Sequence, residues 1–367
     1  MTAGVHDWES YRDWARRTLP QGLVFLGPDP HHAFGFIDLV PRLSVASADR
    51  PPALADLAEQ GLSVWTPGKE GAVGPGTEAA ERSSAVGEDR DDESEGGRSS
   101  ADLASAPGFG SWLVGLGDGG PRPPVAVFKP SHRLESLAAA SGWRLLGPPA
   151  GLARRWENKV AFRERAAALG LHQPPGMAVE AGTGFADVAD RLGLPFVLQA
   201  PHGYSGARTV LVGDESAFDA ARTSLRAPRL RAASFVIGRP LTLNACVTAR
   251  GVAASAPFVQ VTGEPGLTRH GLGSCGNDWS WPGLVSLDLS AYRRAARAVG
   301  EALAEEGYRG LFGLDFVQPY DHGEPWLIEV NPRLVASVSL HAQLELRDGR
   351  VPLAARHLMA LLDPTAD

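Results

Sequence analysis

Apolar and aromatic residues recur at helical spacing through Trp8, Tyr11, Trp14, Ala15 and Leu19, and Pro20 closes the run. Short apolar runs of strand length follow at residues 23–26, 34–39, 43–46 and 62–65, with a helical stretch at 53–60 before the last. Strand and helix in alternation predict a small α/β lobe. Gly27-Pro28-Asp29-Pro30 is turn chemistry after a strand and is too short for a phosphate loop. From Pro67 to about Pro107 the periodicity vanishes; Gly, Ser, Glu, Asp and Ala dominate, and Glu88-Asp89-Arg90-Asp91-Asp92-Glu93-Ser94-Glu95 is a run of charge. Such a segment cannot bury enough apolar surface to offset its ordering entropy, so residues 67–107 are expected to be a disordered insertion. Deleting Gly71 to Ser105 is therefore expected to leave stability nearly unchanged. Strand-like runs resume at 111–116, 125–129 and 144–146, with a helix at 134–141, and complete a first domain of residues 1–150.

A second domain, 151–367, opens with a helix from Trp156 to about Leu169, ended by Gly170 and Pro174-Pro175. A buried-strand run at 196–200 leads into the loop Pro201-His202-Gly203-Tyr204-Ser205-Gly206-Ala207-Arg208, and a second strand follows at 209–212. A helix is predicted at 216–224, and antiparallel strands at 241–247 and 253–261 around the Arg250-Gly251 turn. Between them and an amphipathic helix at 291–307 lies a polar, glycine-rich loop, residues 268–279. Loops of this kind often carry specificity, which makes Arg269, His270, Asn277 and Asp278 substrate-site candidates, with ordinary turn formation the competing role. A helix at 351–362 closes the chain.

Composition sets the class. The chain has 367 residues, 44% apolar and 21% charged, with no apolar run long enough to cross a membrane. The start of the sequence lacks a basic segment followed by an apolar one, so no signal peptide is expected. Cys246 and Cys275 are the two cysteines, which argues for reduced thiols rather than a disulfide framework. A net charge of −7 argues against nucleic acid or an anionic membrane as partner. A cytoplasmic protein is expected, and a homodimer is compatible with these properties.

The chemistry concentrates in two apolar runs, Gly310-Leu311-Phe312-Gly313-Leu314-Asp315-Phe316-Val317 and Trp326-Leu327-Ile328-Glu329-Val330-Asn331-Pro332-Arg333. They flank a stretch of turn residues and predict a β-hairpin. With the turn centred on His322, Asp315 faces Glu329 and Gly313 faces Asn331. Directly opposed residues hold their Cβ atoms about 4.5–5.5 Å apart, so the two carboxylates repel unless a cation lies between them. A hard divalent ion with oxygen ligands from Asp315, Glu329 and Asn331 would satisfy them, Gly313 leaving room for it. Arg333 would bind a phosphate or carboxylate with its planar fork. An edge hairpin whose acids are solvated or paired with Arg333 is the alternative on this pattern alone.

The run G-x-x-G-L-D-F-V, a turn, then L-I-E-V-N-P-R resembles the metal-binding hairpin of the ATP-grasp superfamily, which includes D-alanine–D-alanine ligase, biotin carboxylase and glutathione synthetase. The resemblance covers roughly residues 156–362. It implies an α/β ATP-grasp fold, two α+β subdomains gripping a nucleotide, preceded by the small α/β lobe. The nucleotide subdomain would span about 156–232 and the metal and substrate subdomain about 233–367. It further implies an ATP-dependent carboxylate–amine ligase using two Mg²⁺ ions, with Mn²⁺ an acceptable substitute, acting on small-molecule or peptide carboxylates and amines. By motif, Asp315, Glu329 and Asn331 become metal ligands, Lys159 a phosphate-binding and catalytic lysine, and Arg333 a catalytic arginine. Gly203, Ser205 and Gly206 become the phosphate loop, and Phe235 and Val236 the adenine-contacting link. Two positions depart from the family: Gln199 stands where a second phosphate lysine is usual, and Pro240 where a ribose-binding glutamate is common. Arg208 is the candidate to make good the lost charge. A degenerate protein that binds nucleotide or a partner without ligating, or a carboxylase or kinase on the same scaffold, remains an alternative.

Overall fold

The computed structural model describes residues 5–48, 52–67, 99–203, 206, 208–268 and 270–365. Residues 68–98 of the expected insertion, the loop residue Ser205 and the candidate Arg269 lie outside them. The chain divides into two compact units, Leu152–Ser337 and the remainder.

The first unit is built on a parallel sheet of β1 (Leu23–Leu26), β2 (Leu43–Ala46), β3 (Ser63–Trp65), β4 (Val125–Val127) and β5 (Leu145–Leu146), in the order β3-β2-β1-β4-β5. β1, β2 and β4 are buried along their whole length, which is why they read as unbroken apolar runs rather than as an alternating pattern. Helices α1 (Trp8–Thr18), α2 (Pro52–Glu59), α3 (Ser100–Ser105), α4 (Phe109–Gly115) and α5 (His132–Ser141) accompany them.

Three expectations change here. Of residues 34–39, expected as a strand, the first three lie in a 3₁₀ turn, Pro30–Phe36, and the rest in the turn that follows it. Asp29 caps that turn by accepting from the His31 amide at 2.9 Å, and Pro30 opens it, so local cap chemistry outweighs strand composition. Residues 111–116, also expected as a strand, fall mostly in α4, whose buried Phe109 and Leu113 are one helical turn apart. The insertion ends before Pro107: Ser99 and Asp102 form a capping box for α3, and Ala101 and Leu103 are fully buried.

Deleting Gly71 to Ser105 therefore removes part of the core. We expect a clear loss of stability, in contrast to the sequence-based expectation. Leu103→Ala alone should destabilise by about 2–5 kcal/mol, the usual range for a buried leucine. A denaturant midpoint unchanged by either alteration would contradict this packing.

The second unit has two sheets. α6 (Ala150–Glu157) enters it, and Asn158 breaks the single helix expected from Trp156 to Leu169. The Asn158 side chain accepts from the amides of Val160 and Ala161, so a new helix, α7 (Lys159–Ala168), starts at Lys159. A four-stranded antiparallel sheet follows: β6 (Gly176–Val179), β7 (Phe196–Gln199), β8 (Thr209–Val212) and β9 (Leu230–Ser234), in the order β6-β9-β7-β8. α8 (Phe185–Leu192) and α9 (Glu215–Leu225) cover one face, where Phe196, Leu198, Ala232 and Phe218 are buried together.

The larger sheet contains β10 (Gly238–Thr248), β11 (Gly251–Ala254), β12 (Phe258–Thr262), β13 (Ser274–Asp278), β14 (Gly310–Pro319) and β15 (Trp326–Asn331). The single strand expected at 253–261 is two strands; Pro257, which lacks an N–H for the ladder, lies between them. Part of the expected loop at 268–279 is β13. α10 (Leu289–Glu305) packs on one face of this sheet, with Tyr292, Ala296, Val299 and Leu303 against Leu241, Leu243, Phe312 and Leu314. Strand residues alternate between faces, so the opposite face is left to Thr242, Asn244, Gly313 and Asp315.

The closing helices α11 (Val338–Arg347) and α12 (Leu353–Leu362) group with the first unit, not with the second domain as expected. The hydroxyl of Ser339 donates to the His31 carbonyl at 2.8 Å, and Arg144 Nη2 donates to that of Leu361 at 2.8 Å. Among the described residues no helix is long and apolar enough to cross a membrane.

Candidate functional site

The β14–β15 ladder pairs Gly313 with Asn331, Leu314 with Val330 and Asp315 with Glu329, as the hairpin pattern predicts. Nearer the turn the register differs by one: Phe316 faces Leu327 and Val317 faces Trp326, leaving Ile328 as a bulge. A turn centred on His322 is therefore not what aligns the acids. Without the bulge Asp315 would face Ile328, and Glu329 would point to the other side of the sheet. Gly313 does not leave an opening, either. A Cβ there would lie 2.9 Å from Val335 Cγ1, so the missing side chain admits Val335.

The two carboxylates are treated unequally. Lys159, at the first position of α7, places its Nζ 2.7 Å from Glu329 Oε2 and donates to the Gly203 carbonyl at 3.2 Å. Burial pushes the Glu329 carboxyl up, but the charge and hydrogen bond of Lys159, joined by the Asp315 hydrogen bond and the Arg333 charge, hold it below its ordinary range. Asp315 accepts from Asn331 Nδ2 at 3.0 Å and lies 3.4 Å from Gln260 Nε2. Burial, and then the Glu329 charge, push Asp315 up to about 7. Of the two, Asp315 is the acid whose charged form is disfavoured.

Arg333 is held from three sides. Its Nε donates to Glu157 at 2.9 Å, Nη1 to the Leu334 carbonyl at 3.1 Å, and Nη2 to Asn331 Oδ1 at 3.0 Å. Lys159, Asp315, Glu329, Asn331 and Arg333 are therefore one connected group. Pairing with Arg333 alone, the alternative left open by the sequence, does not describe it, because Glu329 is bonded to Lys159. Among the described residues no group of three or more His, Cys, Asp or Glu could hold a metal ion. The oxygen set here is two carboxylates and an amide.

The other candidates divide. Gly203 sits beneath Lys159, and Gly206, with φ at +75°, is so close to the 272–273 backbone that a Cβ would meet Gly273 N at 2.8 Å. Phe235 and Val236 follow β9, but the Phe235 amide donates to the Pro195 carbonyl at 3.3 Å rather than being open to a base. Asn277 pairs across the ladder with Gln260 and shares its face. Asp278 accepts from the Ser280 amide at 2.6 Å and from its hydroxyl at 2.7 Å, a local turn. His270 also works locally, its amide donating to Thr268 Oγ1 at 3.1 Å. Arg208 does not stand in for a missing lysine, because its guanidinium donates to the Leu225 carbonyl near the end of α9.

Gln199 is buried and donates to Thr209 Oγ1 at 3.1 Å. Its carbonyl oxygen accepts from Arg231 Nη1 at 2.7 Å, and the two residues are cross-strand partners on β7 and β9. Arg231, Gln260, Thr242 and Glu157 were not singled out from the sequence. Arg231 stands in an apolar run, Leu230-Arg231-Ala232-Ala233, and a charge inside a buried-strand pattern is the signal that could have found it.

No family model and no curated protein matches the chain by sequence. Solved structures do match by fold. Biotin carboxylase from Campylobacter jejuni, in a β,γ-ATP complex, aligns over 93% of this chain and 70% of its own at TM-score 0.61 and 14% identity. An L-amino acid ligase from Bacillus licheniformis aligns over 94% and 75% at TM-score 0.57 and 16% identity. N5-carboxyaminoimidazole synthase from Aspergillus clavatus, with ADP and 5-aminoimidazole ribonucleotide, aligns over 93% and 76% at TM-score 0.54 and 16% identity. The chain has the ATP-grasp fold. Lys159, Gln199, Asp315, Glu329, Asn331 and Arg333 all lie in the second unit.

Proposed function

We propose that this chain is an ATP- and magnesium-dependent ligase that activates a carboxylate as an acyl phosphate and joins it to an amine. The observation that carries this reading is the opposition of Asp315 and Glu329 beside Asn331, with Lys159 and Arg333 bonded into the same group. It is supported by the ATP and ADP held in solved structures of the same fold, and by the ligase names some of them carry.

Asp315, Glu329 and Asn331 fit a hard cation, since every donor is oxygen and two are carboxylates forced close together. A divalent ion held there would neutralise phosphate oxygens and supply the positive charge that the acid pair lacks. In the proposed reaction a carboxylate oxygen bonds to the γ-phosphorus, the bond from that phosphorus to the β-phosphate oxygen breaks, and ADP leaves. The amine nitrogen then bonds to the acyl carbon, phosphate departs, and the nitrogen loses a proton. Lys159 would hold phosphate oxygens, with Gly203, Ser205 and Gly206 looping over them and Gln199 at the strand end. Phe235 and Val236 would lie by the adenine. Arg333, oriented by Glu157, would offer its fork to the acyl phosphate. An amine that arrives neutral needs no dedicated base. Small-molecule or peptide substrates and a cytoplasmic setting belong to the same reading.

A second reading, carboxylation, is favoured by the names biotin carboxylase and N5-carboxyaminoimidazole synthase among the structures of like fold. The test is ADP release over a panel of carboxylates and amines with ATP and magnesium. Ligation predicts ADP and phosphate in equal amounts, only when a matched pair is present. Release that needs bicarbonate but no amine would replace ligation by carboxylation. No release with any pair, while nucleotide still binds, would leave a binding protein.

A further inference from the structure

Among the described residues of the second unit, Arg231 is the most deeply placed cation that has no anion of its own. It is 2% exposed, its Nε has no hydrogen-bond partner, and among the described residues no carboxylate forms an ion pair with it. Its one bonded neighbour is the neutral amide of Gln199, at 2.7 Å. Burial lowers its pKa to about 10; the Glu329 charge acts against that and the Arg163 charge adds to it. Glu329, the acid Arg231 senses, is already bonded to Lys159.

A buried charge without a counter-ion is strongly unfavourable, and a fold can remove it by exchanging arginine for an apolar or amide side chain. Keeping it is understandable if an anion arrives from outside. Strand faces show where that anion would sit. Phe196, Leu198, Leu230 and Ala232 point into the core beneath α8 and α9. Gln199 and Arg231 alternate with them and point away from that core, and Arg231 feels the charge of Glu329 of the acid pair. Lys159 borders the same space through Glu329 and the Gly203 carbonyl.

We infer that Arg231 is an anion-binding residue of the nucleotide site, its guanidinium holding a phosphate group and taking the role that the amide of Gln199, its cross-strand partner, cannot fill. This rests on the proposed nucleotide reading and deepens it. The cation stands on β9, one strand beside Gln199 on β7, and the two side chains are hydrogen-bonded. The planar fork can also bind phosphate bidentately, which a lysine cannot.

The test is calorimetric affinity for ADP with magnesium, with adenosine as the uncharged probe, alongside thermal unfolding without ligand. Arg231→Gln should bind ADP about tenfold to a hundredfold more weakly, the range for one charge-assisted hydrogen bond. Adenosine affinity should be unchanged. The ligand-free variant should melt no lower than wild type, because an unpaired buried charge has gone. Gln199→Lys combined with Arg231→Gln returns a cation to the pair and should recover ADP binding. Arg231→Lys checks the charge in case Arg231→Gln folds poorly. Unchanged ADP affinity in Arg231→Gln, or a lower melting temperature with unchanged affinity, would make Arg231 structural and overturn this assignment alone. Wild type that binds neither ADP nor ATP would overturn the nucleotide reading as well.

Discussion

Asp315→Asn should abolish magnesium-dependent turnover while leaving the metal-free protein at least as stable as wild type. Replacing a residue that merely supports a metal ligand typically lowers activity or affinity 10–100-fold, so about a hundredfold is a floor for replacing the ligand itself. The stability effect follows from the opposed carboxylates. Burial and the Glu329 charge raise the folded-state pKa of Asp315 to about 7, from an ordinary 3.8. A raised carboxyl pKa means that the folded state holds a proton the unfolded chain would release. The penalty is absent below about pH 4, grows as the pH rises, and is complete above about pH 7. Asparagine removes it, so the variant should gain on wild type at pH 8 in chelator, by an amount on the order of a few kcal/mol, and match it near pH 4. Denaturant midpoints at the two pH values read this directly; a variant less stable than wild type at pH 8 would show that Asp315 is not held against a second charge.

Glu329→Gln is expected to behave in the opposite way. It too removes a negative ligand and should be inactive, but it also takes the anion from Lys159, whose side chain is 10% exposed. Removing one partner of a fully buried pair costs about 3–5 kcal/mol. The Glu329 side chain is 22% exposed, so we discount that to on the order of 2–3 kcal/mol. In a domain of this size the melting temperature should fall by roughly 5–10 °C. Two acids a strand apart, both essential for turnover, are thus separated by the sign of their stability effect. Equal effects would mean that Lys159 does not neutralise Glu329.

The difference between these acids also marks what the sequence could reveal. The hairpin and the pairing of Asp315 with Glu329 were readable because period-two patterning and turn chemistry are local. The match was partly fortunate, since an offset turn and a bulge at Ile328 cancel. Strand and helix were confused at 34–39 and 111–116, where a proline-opened 3₁₀ turn and a four-residue spacing of buried aromatic and leucine decided the outcome. The partners of the site were out of reach. Lys159 meets Glu329, and Glu157 meets Arg333, across more than half of the second unit, and no spacing rule links them. Arg231 shows in the sequence as a charge within an apolar run, but its pairing with Gln199 becomes visible only when β7 and β9 are laid side by side. Arg208, adjacent in sequence to the glycine loop, was the natural choice for a replacement cation, and its guanidinium turns to α9 instead. Grouping of the last two helices with the first unit is likewise a tertiary fact, since their own pattern says only that they are amphipathic.

Magnesium-dependent binding of a non-hydrolysable ATP analogue, measured by calorimetry on wild type and Asp315→Asn, tests the central claim without knowledge of either substrate. The account predicts that wild type binds the analogue with magnesium, binds it at least tenfold more weakly in chelator, and that Asp315→Asn loses the magnesium dependence. Wild type that binds equally well with and without magnesium, or does not bind at all, would contradict it.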